Sequence, residues 1–295
     1  MRRLVILRAA AVILSVAKDL ALIVLAALLL TPAVADSQSA GGIRCPVNRD
    51  PVARWGLPSG LAEVSGLAIG PGGRILGHGD EFGRLFELDP GSGKVLRRIT
   101  LKGQPKGDFE GVAAAGKSIA LMTSTGRLYV FKLSDAGDQV TFRTVETGLG
   151  KACELEGLAW DVGADALLIP CKNGKTRATR NGLTIFRWSM AGKGSAGEAI
   201  RVSAQNLSRA AGTPRINATS VDLDPVTGHL LLLSSRPALV LELESNGRIV
   251  GVARLRDEVH SRAEGLAVTK DAMYIGDESS GGRGTIAKYA CEAGR

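Results

Sequence analysis

One short phrase recurs five times along this chain of 295 residues. The first residues of successive copies are 45, 46, 63 and 45 positions apart. A nearly constant period of this size indicates one supersecondary unit copied around a closed or stacked architecture. The copies are Ser65-Gly66-Leu67-Ala68, Glu110-Gly111-Val112-Ala113, Glu156-Gly157-Leu158-Ala159, Thr219-Ser220-Val221-Asp222 and Glu264-Gly265-Leu266-Ala267.

Each copy is followed by a pattern that predicts further short β-strands. In the first unit, a glycine turn at 70–73 leads to strands at 74–77, 84–88 and 95–101. Period-two alternation between glycine turns is typical of strands. Third strands are predicted at 127–131, 183–188, 238–243 and 285–289, and fourth strands at 140–145, 199–202 and 249–255.

Four antiparallel strands in roughly 45 residues form a β-propeller blade. The predicted fold is therefore all-β, a five-bladed β-propeller with four-stranded antiparallel blades. The step of 63 residues is interpreted as one blade with polar insertions at 172–181 and 191–197.

The last unit lacks a fourth strand, so the ring needs one from elsewhere. Residues 52–57 are predicted to pair with 285–289, which closes the ring and leaves no exposed edge. This N-terminal strand brings Cys45 near Cys291, and we expect these two cysteines to form a disulfide. Cys153 and Cys171 flank the first hairpin of the third blade and are predicted to form a second one.

The N-terminus indicates export. Arg2, Arg3 and Arg8 precede a run of ten apolar residues at 21–30, and Ala33-Val34-Ala35 offers a cleavage site. Residues 1–35 are predicted to be a signal peptide, followed by an N-terminal segment at 36–50 and the propeller at 51–295. An uncleaved anchor is the alternative, although the run is short for a span of about 20 residues. An even number of cysteines after this segment also fits an exported, disulfide-bonded protein.

The charge pattern argues against nucleic-acid binding. The net charge is +8, but the basic residues are scattered and aromatic residues make up only 4%. A nucleic-acid groove needs clustered Lys and Arg together with stacking aromatics. We expect a periplasmic or secreted monomer with no membrane span after signal cleavage.

The first strand of each blade lines the channel of a propeller, so the leading residues of the phrase should form a ring. Residues two positions earlier lie on the same face. Like charges raise one another's pKa unless a cation neutralises them, and Ca²⁺ takes six to eight oxygen ligands. The predicted Ca²⁺ ligands are Glu110, Glu156, Glu264, Asp108 and Glu154, and the predicted channel-lining residues are Glu63, Ser65, Asn217 and Thr219.

This ring is uneven, so any cation is expected off the axis, nearer Glu110 and Glu156 or Glu264 than Ser65. The alternative is that the acids pair with neighbours such as Arg262, or are solvated in a wet channel.

A second polar ring is predicted at the corners after the second strands, around one mouth of the channel. The alternative is that these residues only cap strand ends. The corners are Asp80-Glu81, Ser124-Thr125, Cys171-Lys172, Ser234-Ser235-Arg236 and Asp277-Glu278.

Three segments resemble the bacterial SdiA-regulated (YjiK-like) family, which is distantly related to NHL-repeat proteins. They are residues 156–161, 224–231 and 84–88, and the resemblance extends over about residues 55–291. It implies a five-bladed propeller with a calcium site and a poorly defined cellular role. The chain departs from the family where Ser65 and Thr219 stand in place of acids, and at Ser234-Ser235.

Two functions are open. The first is a non-catalytic binding module with a Ca²⁺ site and a small-molecule or protein ligand at the channel mouth. The second is a calcium-dependent hydrolase of a phosphate ester or lactone, with Ca²⁺ as Lewis acid. His78 is predicted at a mouth corner, His229 in a turn and His260 in the last inter-blade loop. The sequence contains no Ser-His-Asp order, nucleophile elbow or P-loop.

Overall fold

The computed structural model describes residues 42–133, 138–191, 194–279 and 281–293. These residues form five antiparallel sheets, which confirms the predicted five-bladed β-propeller. The inner strands of adjacent blades contact one another in a closed ring. The predicted signal peptide lies outside the described residues.

Blades 1 and 2 follow the predicted strand order, with one difference at 140. Gln139–Val140 runs parallel to the outer strand of blade 1, so Val140 covers that edge instead of starting the outer strand of blade 2. Blade 1 consists of Val64–Ile69, Ile75–Gly79, Arg84–Leu88 and Val95–Leu101, and blade 2 of Phe109–Ala115, Ser118–Thr123, Arg127–Phe131 and Phe142–Glu146.

Blade 3 occupies the long step, as predicted, but its inner strand is interrupted. Both halves pair with the second strand, and Gly157 lies between them with a φ of +81°. A Cβ at Gly157 would lie 2.7 Å from Ser220 Cα, so only glycine fits this approach to blade 4. The strands are Cys153–Leu155, Ala159–Asp161, Ala166–Gly174, Leu183–Ser189, Gly194–Ser195 and Ile200–Val202.

The helix Ala204–Ala211 follows blade 3 and was not predicted. Ser203 caps it, because the Ser203 hydroxyl accepts a hydrogen bond from Asn206 N at 3.1 Å. Leu207 and Ala211, four residues apart, form its buried face. Three 3₁₀ turns complete the helical elements among the described residues: Ser59–Leu61, Pro71–Gly73 and Leu149–Lys151.

Blade 5 is completed by Ala53–Gly56, which confirms the predicted closure. This strand pairs antiparallel with the third strand of blade 5, from Ala53↔Lys288 to Gly56↔Thr285. Both predicted disulfides, Cys45–Cys291 and Cys153–Cys171, are present. Blade 4 consists of Asn217–Leu223, Leu230–Arg236, Ala238–Leu243 and Ile249–Arg254, and the rest of blade 5 of Ala263–Val268, Ala272–Asp277 and Thr285–Ala290.

The residues just before the closing strand are packed into the propeller through a buried ion pair. Arg44 is 5% exposed, and its Nε and Nη2 donate to the two carboxylate oxygens of Asp224 at 2.9 Å each. Arg44 Nη1 also donates to Lys270 O at 2.6 Å. Such a bidentate pair fixes geometry as well as charge. It ties the N-terminal segment to blades 4 and 5.

The apolar core is divided into five clusters, each built from two adjacent blades. Burial between blades removes the apolar faces from water and stabilises the ring. No helix among the described residues is long and apolar enough to cross a membrane.

Candidate functional site

Glutamates from three blades meet where the inner strands begin. Glu110 lies on the inner strand of blade 2, Glu264 on that of blade 5, and Glu156 just before Ala159–Asp161 in blade 3. The carboxyl groups of Glu156 and Glu264 share a hydrogen bond, and Glu110 interacts electrostatically with both. We refer to these three residues as the glutamate cluster.

Burial makes this cluster hold its protons tightly. It raises the pKa of Glu110 to about 9, with the neighbouring charge of Asp108 adding to the effect. It raises the pKa of Glu156 to about 10, helped by the charges of Glu264 and Glu110. The pKa of Glu264 is raised for the same first reason. Glu110 and Glu156 therefore stay largely protonated at neutral pH unless a cation neutralises them.

An ammonium group faces the cluster from the mouth. Lys172, on the second strand of blade 3, places Nζ 2.5 Å from Glu156 Oε2 and also interacts with Glu110 and Glu264. Burial lowers the pKa of Lys172, but the charge and hydrogen bond of Glu156 outweigh it, so the net pKa is raised. Lys172 therefore remains an ammonium ion. The sequence placed it at a mouth corner but assigned it no role.

Of the other two predicted Ca²⁺ ligands, Asp108 and Glu154, only one lies with the glutamate cluster. Asp108 lies with the cluster, where it hydrogen-bonds to Glu110. Glu154 does not: its Oε2 accepts a hydrogen bond from Asn173 Nδ2 at 2.8 Å on the neighbouring strand.

The donor chemistry of the cluster fits a hard cation, although its present arrangement does not. As they stand, no three His, Cys, Asp or Glu residues in the described part of the chain could hold a metal ion. All the donors are oxygens, and the buried Glu264 Oε2 has no hydrogen-bond partner among the described residues.

The two hydroxyl residues of the predicted ring are turned to the backbone. Ser65 Oγ donates to Glu63 O at 3.4 Å. Thr219 is fully buried, and its Oγ1 donates to Ala263 O at 2.9 Å, which joins blade 4 to blade 5. Asn217 Nδ2 donates to Ser235 Oγ at 3.4 Å on the adjacent strand. The departures from glutamate at 65 and 219 thus coincide with structural hydrogen bonds.

The mouth acids lie in one neighbourhood, with one exception. Burial raises the pKa of Glu278, and the charges of Asp80 and Glu63 raise it further against the opposing charge of Arg262. Glu81 is exposed and lines a cleft together with Asp80.

Asp277 is the exception, because it does not line the mouth as predicted. It is 3% exposed and ends a buried strand of blade 5. His260 Nδ1 lies 2.7 Å from Asp277 Oδ2, and His260 Nε2 lies 2.6 Å from Tyr289 Oη. Adjacent strand residues point to opposite faces, so only Glu278 of this corner reaches the mouth.

The prediction that His78 stands at a mouth corner is wrong. The second strand of blade 1 extends to Gly79, two residues further than predicted, and encloses His78 completely. Burial lowers the pKa of His78 to about 4, and its Nδ1 donates to Gly79 O at 3.0 Å. His229 Nδ1 lies 2.7 Å from Glu242 Oε1, in the same blade. None of the three histidines contacts the glutamate cluster.

The opposite end of the channel, where the inner strands finish, has a cavity of about 170 Å³. Asp222 is its single charged residue, and burial raises the pKa of this carboxyl to about 7. Its two oxygens accept from Leu223 N and Val268 N, both at 2.8 Å. Ser220 Oγ accepts from Leu266 N at 3.2 Å. The divergent phrase of blade 4 thus joins blade 4 to blade 5.

Solved structures share this fold at low sequence identity. Glutaminyl cyclase from Myxococcus xanthus is 16% identical, with a TM-score of 0.57 over 84% of this chain and 100% of that chain. The PQQ-bound aldose sugar dehydrogenase from Streptomyces coelicolor is 13% identical, with a TM-score of 0.55 over 81% of this chain and 98% of that chain. At such identity the likeness shows the propeller fold alone.

No curated protein sequence matches the chain. The family model described as SdiA-regulated, however, matches residues 61–280. That range begins just before the first copy of the phrase and ends in blade 5, so it includes the glutamate cluster, Lys172 and the mouth acids. The chain therefore belongs to the SdiA-regulated family.

Proposed function

We propose that this chain is an exported binding propeller whose glutamate cluster binds Ca²⁺. The observation that carries the proposal is the convergence of Glu110, Glu156 and Glu264 on the single ammonium of Lys172. Arg262 also interacts with Glu264, but three carboxyls crowded around one ammonium still need retained protons or further positive charge to be neutral. A hard divalent cation meets that need with oxygen ligands alone.

Binding would change the protonation of the site in a defined way. The three glutamates would ligate as carboxylates, with Asp108 beside them. Because Glu110 and Glu156 keep protons at neutral pH, the ion must displace them, and its affinity should rise with pH. The ammonium of Lys172 must also move away from Glu156 to admit the ion.

Export is part of the proposal. Two disulfides are typical of oxidising compartments, which supports a periplasmic or secreted location. We further propose that the protein acts as a monomer and presents the channel mouth to a small-molecule or protein ligand.

Calcium-dependent hydrolysis is the less supported function for the same site. A general base must reach the reacting proton and be unprotonated at working pH. None of the three histidines contacts the cluster, and Lys172 stays protonated.

Thermal melting of the mature protein with CaCl₂ or with EDTA tests the calcium site. Calcium should raise the Tm, because a ligand at about a hundred times its Kd adds about 2.7 kcal/mol to the folded state. Glu156→Gln and Glu264→Gln should lose this response. Glu154→Gln is the matched control, since Glu154 lies outside the cluster, and it should respond like the parent. An unchanged Tm in the parent protein, or an equal response in all variants, would reject the site.

A further inference from the structure

A second polar cleft lies on blade 1, outside the glutamate cluster. Its volume is about 130 Å³, and it opens between the turn Ser59–Leu61 and the corner that follows Ile75–Gly79. Two aromatic rings, one guanidinium and three carboxylates line it: Phe82, Phe86, Arg84, Glu63, Asp80 and Glu81. We call it the blade 1 cleft.

One nitrogen of the guanidinium in the cleft is buried without an acceptor. Arg84 Cζ lies 5.7 Å from the centroid of the Phe82 ring, within the range of a cation–π contact. Arg84 Nε is buried and has no hydrogen-bond partner among the described residues. A buried N–H without an acceptor is costly, which favours an acceptor supplied by a ligand.

The carboxylates of the cleft are likewise without a cationic partner. Glu63, Asp80 and Glu81 form no ion pair with Arg84 or with any other basic side chain that the structure describes. Opposite charges therefore line one small cleft without neutralising each other. The ligand that complements such a surface carries both charges itself.

We propose that the blade 1 cleft binds a small zwitterion of the α-amino acid class. The ligand's carboxylate accepts from Arg84, and its ammonium faces Glu63, Asp80 and Glu81. The volume is below the roughly 300–1,000 Å³ of pockets for drug-sized ligands, so the ligand is small. The aromatic rings favour an aliphatic side chain. This inference is independent of whether the glutamate cluster binds calcium.

Calorimetric titration of the intact mature protein with alanine and valine tests the proposal, once in EDTA and once in CaCl₂. Two analogues each remove one charge: the amino acid amide lacks the carboxylate, and the N-acetyl derivative lacks the ammonium. The free amino acid should bind, and each analogue should bind at least about tenfold more weakly, about 1.4 kcal/mol. No binding of either free amino acid, or equal binding of the analogues, would overturn the proposal.

A pair of arginine variants locates the site. Arg84→Gln should weaken amino acid binding at least tenfold. Arg98→Gln is the matched control, because Arg98 lies 5.3 Å from the Phe86 ring centroid in the same blade but does not line the cleft. Equal affinities for the two variants would contradict the assignment. Should Arg84→Gln fail to fold, the analogue series on the parent protein still tests whether both charges of the ligand are bound.

Discussion

The channel has a starting end, where the inner strands begin, and a finishing end, where they finish. Both ends contain buried carboxyls with raised pKa values, but the hydrogen-bond partners of these carboxyls differ. At the finishing end, both oxygens of Asp222 accept from backbone N–H groups of blades 4 and 5. At the starting end, three glutamates face one ammonium, and Glu264 Oε2 has no hydrogen-bond partner among the described residues. Asp222 is thus satisfied by the fold itself, whereas the glutamate cluster keeps a buried carboxyl oxygen that no described residue satisfies.

The largest expected loss of stability comes from breaking a buried ion pair at the finishing end of the channel. Asp224, two residues beyond Asp222, is 1% exposed and paired with Arg44. Arg44→Met leaves the Asp224 carboxylate buried without a counter-charge. The free energy of unfolding, measured by urea denaturation, should fall by about 3–5 kcal/mol. Arg49→Met, at an exposed position of the same segment, is the control and should cost little. Equal losses would show that the ion pair is not what stabilises this end.

The pH dependence of stability should separate the two ends. A carboxyl whose folded pKa lies above its unfolded value stabilises fully at low pH and loses that stability as pH rises through the folded pKa. For Asp222 the loss falls between about pH 4 and 7, whereas for Glu110 and Glu156 it continues to about pH 9–10.

Metal-free protein should therefore lose stability from pH 7 up to about pH 9–10, because Glu110 and Glu156 still hold protons in the folded state. Glu156→Gln should flatten this upper slope, and Asp222→Asn should change only the slope below about pH 7. Denaturant titrations at a series of pH values measure both slopes. A parent protein whose stability is constant above pH 7 would contradict the raised pKa values at the glutamate end.

Removing the ammonium should sharpen the contrast further. Without calcium, Lys172→Met removes the hydrogen-bond donor that faces the buried Glu156 carboxyl and should destabilise the fold by about 1–3 kcal/mol. With calcium the same change should tighten binding, because the ammonium no longer competes for Glu156. Lys175→Met is the matched control, since Lys175 Nζ donates only to Gly150 O near the same strand end. Weaker calcium binding in Lys172→Met than in Lys175→Met would argue against competition.

The smallest expected loss of stability comes from a single hydroxyl at the finishing end. Ser220→Ala removes the hydroxyl that accepts from Leu266 N and should cost about 1 kcal/mol. Its calcium response should equal that of the parent protein, because Ser220 does not contact the glutamate cluster. A reduced calcium shift in this variant would mean that the two ends are coupled.

Local patterns predicted the parts of this fold that depend on local sequence. Three local patterns predict the ring closure and both disulfides: the repeated phrase, the alternating strands and the last blade with its missing strand. The structure confirms the ring closure and both disulfides. The position of His78 was mistaken because strand length depends on pairing with the neighbouring strand, which alternation alone does not reveal. The helix Ala204–Ala211 was missed inside the long step.

The site was harder to predict because its contacts join different blades. Strand order predicts that Glu110, Glu156 and Glu264 are neighbours, and the three carboxyls do interact electrostatically, but their charge balance depends on Lys172. One usable signal existed: Lys172 is the single lysine among the five predicted mouth corners. Thr219 and Asp277 occupy the expected chain positions, yet hydrogen bonds turn them toward the backbone and toward His260.

Uptake of Ca²⁺ by the glutamate cluster should release the protons that Glu110 and Glu156 hold at neutral pH. Calorimetric titration of the metal-free protein with CaCl₂ near neutral pH, in buffers of different ionisation enthalpy, measures ion uptake and proton release together. We predict one Ca²⁺ per chain, with protons released on binding and both signals lost in Glu156→Gln but kept in Glu154→Gln. Absence of binding, or binding with no proton release, would contradict a calcium site built from protonated glutamates.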